Sequence, residues 1–162
     1  MNLNDFEIIS NIISDNIKES MVILLNGDLG TGKTTLTQKI LNKIVEDDQI
    51  VSSPTFSIIK TYNGKNGFKF YHSDLYRIRD PQEIEYLDMF YDKKGVYLIE
   101  WAEFLDYLIP DENITINLFY NENIEFRDVE IYFNGEKYKL IEKKLIEWSV
   151  DRIWKLEFLD FL

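Results

Sequence analysis

Phe6, Ile9, Ile13 and Ile17 recur at spacings of three and four, which predicts an amphipathic helix near the start of the chain. The pattern then changes to an unbroken apolar run, Val22-Ile23-Leu24-Leu25, the signature of a buried strand. Leu36, Ile40, Leu41 and Ile44 restore helical spacing over a helix expected at 33–46. A strand is expected from Phe56 to about Tyr62, with an antiparallel partner at 68–73 across the turn Asn63-Gly64-Lys65-Asn66-Gly67. Asp80-Pro81-Gln82-Glu83 reads as a helix start, with Asp at the N-cap, Pro at the first position and Glu at the third. That helix would carry Ile84, Leu87 and Phe90. Residues 96–99 form a short, fully apolar strand ending in Glu100, a helix near 102–108 stops before Pro110, and a strand follows at 114–119. Asn134-Gly135 predicts a two-residue hairpin between strands at 129–133 and 136–141. Residues 142–162 are a heavily apolar helix candidate with Ile146, Val150, Ile153 and Trp154 on one face.

Composition narrows the class. The 162 residues are the size of one domain, and a hydrophobic fraction of 45% with 15% aromatics is that of a chain able to bury a core. With no cysteine, disulfides and thiolate metal sites are excluded. Residues 1–9 include Asp5 and Glu7 and lack a basic leader, and no apolar run is long enough to cross a bilayer, so a cytoplasmic protein without membrane association is expected. The 29 acidic residues outnumber the 18 Lys and Arg, for a net charge of −11. Direct nucleic-acid binding normally needs a basic stripe, because phosphate neutralisation supplies much of the affinity. The only basic clusters, Lys93-Lys94 and Lys143-Lys144, are small, so any nucleic acid in this protein's biology is expected to be held by a partner.

The chemistry is concentrated in residues 27–34, Gly-Asp-Leu-Gly-Thr-Gly-Lys-Thr, a full G-x-x-x-x-G-K-[ST] phosphate-binding loop. It stands between the expected strand at 22–25 and the expected helix at 33–46, the context that the motif requires. Gly27, Gly30 and Gly32 allow the loop to curl so that backbone N–H groups point at a phosphate chain, and the helix N-terminus adds to the attraction. Lys33 is expected to reach the β- and γ-phosphates and Thr34 to ligate Mg²⁺. Helices alternating with strands around such a loop imply an α/β, three-layer P-loop NTPase-like fold. Its sheet would be mixed, with a hairpin-rich side and an extra C-terminal helix.

Hydrolysis needs acids near the metal and the γ-phosphate. Glu100 and Asp74 both end expected strands, where ligands sit in open α/β sheets, and either could meet Mg²⁺ or orient the attacking water. Thr55, in Ser52-Ser53-Pro54-Thr55, is placed either to sense the γ-phosphate or only to shape a strand entry. His72, the only histidine, shares a strand face with Asp74, but phosphoryl transfer rarely needs a histidine, and a structural or exposed role is the plainer expectation. Trp101 either stacks near the nucleotide or packs in the core, with the core the plainer expectation. Competing classes lack parts. No guanine-reading Asn-Lys-x-Asp occurs, since Asn42-Lys43-Ile44-Val45 fails at its last position, and four arginines are too few for the arginine-rich lid of a small-molecule kinase.

The series Gly27-Asp-Leu-Gly-Thr-Gly-Lys-Thr-Thr35, Ser53-Pro-Thr-Phe56, His72-Ser-Asp-Leu-Tyr-Arg77 and Leu98-Ile-Glu-Trp101 resembles the signature motifs of the TsaE (YjeE-type) ATPases. The likeness runs over roughly residues 5–133. It implies ATP hydrolysis with Mg²⁺ in tRNA N6-threonylcarbamoyladenosine synthesis, alongside the partner subunits TsaD and TsaB. In that family TsaD transfers threonylcarbamoyl to adenosine 37 of tRNAs that read codons beginning with A. Carried onto this chain, the resemblance implies that residues 27–35 (Gly27, Asp28, Leu29, Gly30, Thr31, Gly32, Lys33, Thr34 and Thr35) hold the nucleotide, with Arg127 as the family's later arginine. Lys33, Thr55, Asp74 and Glu100 are the implied catalytic set, and Thr34, Glu100 and Asp74 the implied metal ligands.

Two departures stand out. Thr31 replaces the usual alanine of the loop, and Phe6 stands where relatives often place a base-holding threonine. The resemblance fades after Phe133. The chain is therefore read as one domain, 1–162, with a family core at 1–141 and an extension at 142–162 that either packs on its own sheet or docks a partner. The alternatives to an ATPase are a nucleotide-dependent binding module and, more remotely, a small-molecule kinase.

Overall fold

The computed structural model describes residues 1–150, apart from the side chains of Leu3 and Pro81. Its frame is one six-stranded sheet. The strands are β1 (Val22–Asn26), β2 (Ile59–Asn63), β3 (Lys69–Asp74), β4 (Val96–Glu100), β5 (Asn113–Tyr120) and β6 (Arg127–Asn134), in the spatial order β2-β3-β4-β1-β5-β6. The central four, β3, β4, β1 and β5, run parallel, and β2 and β6 pair antiparallel at the two edges. The sheet is mixed, as the sequence pattern requires.

Strict alternation along β1 sends its side chains into two cores. Ile23 and Leu25 join the layer under α1 (Leu3–Asp15), α2 (Lys33–Ile44) and α4 (Lys139–Val150), together with Phe6, Ile9, Leu36 and Ile40. Val22 and Leu24 join the opposite layer, with Tyr71, Leu75, Ile84, Ile99 and Leu105. This second layer is covered by α3 (Pro81–Tyr86) and a 3₁₀ helix at Ala102–Leu108. Each fully buried Leu or Ile contributes roughly 1.5–3 kcal/mol relative to exposure, so the two cores are the main driving force for the fold. Helix α1 starts with an Asn2/Asp5 capping box, and Glu7 clasps α1 to α2 through Lys39 at 2.6 Å and Lys43 at 2.7 Å. Those two ammonium groups hold the Glu7 carboxyl down at about 2.

The expected elements form with corrections. Helix α1 ends at Asp15, short of Ile17, and α2 ends at Ile44 rather than at 46. Residues 56–58 are a turn, not strand: Ser57 and Ile58 N–H groups both donate to the Pro54 carbonyl, and β2 starts only at Ile59. Helix α3 ends at Tyr86, leaving Leu87 as its C-cap and Phe90 beyond it. The hairpin expected at Asn134-Gly135 does not form. The partner of β6 is β5, and Gly135, at φ 110°, turns the chain into a 3₁₀ turn (Glu136–Tyr138) that continues as α4. The physical reason is the spacing of Tyr138, Ile141 and Leu145. As a helix all three reach full burial, and the Tyr138 hydroxyl accepts from the Val22 N–H at 2.9 Å. Helix α4 packs on α1, but through Ile141 and Leu145 rather than the expected face of Ile146 and Val150, and Val150 is exposed. Residues 151–162, with Ile153, Trp154 and the apolar end, lie outside the described residues. Among the described residues no helix is long and apolar enough to cross a membrane.

Candidate active site

Register brings the chemistry to one edge of the sheet. Asp74 and Glu100 are paired neighbours at the carboxyl ends of parallel β3 and β4, and Leu25 of β1 pairs with Glu100 from the other side. Chain leaving β1 enters the phosphate loop, so the loop and both acids meet where parallel strands end.

The loop is built on positive φ. Gly27, Gly30 and Gly32 stand at 135°, 82° and 112°, conformations that L side chains rarely adopt. Space also forbids a side chain, since a Cβ on Gly27 would stand 2.2 Å from the Leu118 carbonyl oxygen. The Thr31 hydroxyl bonds the Asp28 carbonyl at 2.9 Å inside the loop, which accounts for its fit, while Leu29 is exposed at the tip. Lys33 donates to the Gly27 carbonyl at 2.5 Å and to the Asp28 carbonyl at 2.9 Å, and its ammonium lies 3.7 Å above the centre of the Trp101 ring. Burial pulls its pKa below the ordinary lysine value, against the opposing charges of Glu100, Glu103, Asp74 and Asp28.

Glu100 is buried and uses both oxygens: Thr34 donates its hydroxyl to Oε2 at 2.5 Å, and His72 Nε2 meets Oε1 at 2.7 Å. Asp74 is also buried. Its Oδ2 accepts from the Thr55 hydroxyl at 2.7 Å and its Oδ1 from the Tyr76 N–H at 3.0 Å. Ser53 bonds Thr55 at 2.5 Å, and Lys60 on β2 pins this loop through Ser52 Oγ and the Ser53 carbonyl. Bulky residues in left-handed conformations adjoin both loops, Ile58 at φ 64° after Thr55 and Trp101 at φ 57° after Glu100. Such strain costs on the order of 1–3 kcal/mol and persists where the surroundings impose it.

Two pockets flank the loop. The first, ≈ 270 Å³, gathers Lys33, Thr34, Thr35, Thr55, Asp74, Glu100, Tyr76 and Trp101. The second, ≈ 240 Å³, lies on the far side of Gly30 and Gly32 and is walled by Phe6, Ile124 and Arg127. Thr35 borders both. Arg127 spans the loop's back, donating through Nε to the Thr31 carbonyl at 3.2 Å and through Nη2 to the Gly30 carbonyl at 3.4 Å.

Every residue singled out in the sequence thus gathers around this loop. Two residues weighed in the sequence take mixed roles, and two neighbours were not foreseen. Trp101 is neither purely core nor purely site: half-buried against the second core, it also carries the Lys33 ammonium. His72 is fully buried against Glu100 rather than exposed. Tyr120, whose hydroxyl bonds the Leu29 carbonyl, and Lys60 had no marker in the sequence. The shared strand face of His72 and Asp74 was the one available signal for the histidine.

The residues fit a magnesium nucleotide. A glycine cradle that any Cβ would fill, one ammonium, and oxygen donors from Thr34, Glu100 and Asp74 are the donor chemistry of hard Mg²⁺ and phosphate.

Comparison with known proteins identifies the family. The family model described as "Threonylcarbamoyl adenosine biosynthesis protein TsaE" matches residues 2–129. A tRNA threonylcarbamoyladenosine biosynthesis protein TsaE from Haemophilus influenzae is 36% identical over 116 residues, 70% of this chain and 71% of that protein. The protein of the same name from Bacillus subtilis is 35% identical, over 79% of each chain. One from Rickettsia conorii is 36% identical, and the match spans only 63% of its length. A crystal structure of Bacillus subtilis YdiB superposes with a TM-score of 0.70 at 30% identity, covering 92% of both chains, and the fold is P-loop NTPase-like.

Proposed function

This chain belongs to the TsaE family, and from that premise we propose that it is a Mg²⁺-dependent ATPase serving tRNA N6-threonylcarbamoyladenosine modification in the cytoplasm. TsaB- and TsaD-type subunits would be its partners, and tRNA would be met only through them. The observation that carries the catalytic part is the convergence of Lys33, Thr34, Thr55, Asp74 and Glu100 in one pocket beside the glycine loop.

The loop N–H groups and Lys33 would hold the phosphates, which requires the ammonium to exchange its two carbonyl partners for phosphate oxygens. Thr34 and Glu100 would hold Mg²⁺, with Asp74 close by. Bound there, the cation would neutralise phosphate charge and polarise the terminal phosphoryl group. Thr55, tied to Asp74, is set to sense that group, and the two acids to orient the attacking water. The second pocket, with Phe6 and Arg127, would take the nucleoside end. Among the described residues lining the first pocket there is no arginine, and Arg77 is engaged over the exposed Phe56 ring at 4.6 Å. Turnover by the isolated chain should therefore be slow, with a partner completing the site.

A second reading has its own observation. Phe56, 88% exposed, directly follows Thr55, so ATP could order this loop chiefly for docking, with hydrolysis incidental. Lys33→Ala and Glu100→Ala separate the two. Loss of ATP turnover in Lys33→Ala is required by the ATPase reading, and its full retention would remove that reading. A Glu100→Ala protein that binds ATP, docks its partners and supports tRNA modification would establish the binding module instead.

A further inference from the structure

His72 sits on β3 with its imidazole fully buried, and its only hydrogen bond among the described residues runs from Nε2 to Glu100 Oε1 at 2.7 Å. Its other ring nitrogen, Nδ1, is buried with no partner among the described residues. Most buried polar atoms are satisfied, so an orphan of this kind calls for an explanation. A carboxylate oxygen only accepts, which places the ring proton on Nε2 and leaves Nδ1 as a bare lone pair, less costly to bury than a stranded N–H. The histidine is thus committed to one bond, and that bond ends on the acid of the candidate metal site.

We infer that His72 is a positioning residue that fixes the Glu100 carboxylate for the magnesium nucleotide. The inference rests on the site reading given above. Glu100 divides its oxygens: Oε1 belongs to His72, and Oε2 belongs to the Thr34 hydroxyl. Were the Thr34 hydroxyl to hold a cation, it would release Oε2, and the Oε1 bond to His72 would then be left to hold the carboxylate in place. This arrangement follows the general logic by which outer groups orient metal ligands. The same bond has a second consequence. Glu100 is first among the acids whose charge acts on Lys33, and a carboxylate without its imidazole donor would be free to swing toward that ammonium and compete with phosphate.

The test is calorimetry of the full chain with the β,γ-imido analogue of ATP over a Mg²⁺ series, with melting temperatures taken in parallel. His72→Gln keeps an N–H donor near the position of Nε2, His72→Asn places its donor too short, and His72→Leu has none. His72→Leu and His72→Asn should need on the order of tenfold more Mg²⁺ for half-maximal enhancement of binding. His72→Gln, which keeps the donor, should recover most of the wild-type Mg²⁺ dependence, clearly separated from the roughly tenfold loss in the other two. Wild-type Mg²⁺ dependence in His72→Leu, or equal impairment in His72→Gln and His72→Asn, overturns the inference. Should the leucine variant not fold, the Gln and Asn pair decides. Glu100→Gln distinguishes the levels. If it leaves the Mg²⁺ dependence intact, the site reading itself fails, whereas a loss there without any effect at His72 refutes only the positioning role.

Discussion

The two pockets beside the phosphate loop are nearly equal in size and opposite in construction. On the acid side, Lys33, Asp74 and Glu100 are buried charges, each held by named partners. On the far side the walls are the Phe6 ring, loop backbone and an arginine resting on carbonyl oxygens. Buried charge is costly and tolerated only with satisfied geometry, so a site made of it leaves marked residues at strand ends. A pocket made of shape and backbone leaves no such mark.

The largest effect that sharpens this contrast is expected at the acid side. Glu100→Gln should lower ATP turnover by about 10²–10³, the usual cost of removing one preorganised electrostatic group, while ATP still binds. A steady-state ATPase assay checks it. Next comes the loop shared by both pockets. Gly27→Ala forces a Cβ against the Leu118 carbonyl at φ 135°, and should lower the melting temperature by roughly 5–10 °C, from strain of about 1–3 kcal/mol and the collision. On the far side, Arg127→Ala should weaken ATP binding about tenfold, with turnover at saturation little changed, since it loses contacts worth roughly 1.4 kcal/mol in nucleotide affinity alone. An equal fall in turnover would break the division of labour between the pockets.

The smallest effect lies outside both. Glu7 titrates at about 2 in the folded chain, below its ordinary 4.5, because of Lys39 and Lys43. Its contribution to stability is therefore present above about pH 4.5 and fades as pH falls through 2. Acid melting curves of Glu7→Gln should converge with wild type at that end, the gap between them opening as pH rises.

The acid side was readable because periodicity located the strands and the strand ends located the acids. The phosphate loop was readable because two glycines, a lysine and a threonine at fixed spacing have few other uses. His72 was visible as a residue but not as a partner of Glu100, because the reach of its ring across from β3 to β4 depends on register, which one sequence does not carry. The hairpin at Asn134-Gly135 was misread for a related reason. Asn-Gly permits a tight turn, but the helical spacing of Tyr138, Ile141 and Leu145 bought a larger burial. The turn at 56–58 was likewise decided by Pro54, whose carbonyl collects two N–H groups that a strand would have used. The second pocket joins residues 1–6, 30–35 and 124–127, segments that only the fold brings together.

The most direct measurement is titration calorimetry of ATP into the wild-type chain, with and without Mg²⁺, beside Lys33→Ala. Saturable binding near one nucleotide per chain, strengthened by Mg²⁺ and abolished in Lys33→Ala, is the predicted result. Absence of heat and of thermal protection with magnesium nucleotide, or binding that ignores the loss of Lys33, would contradict it.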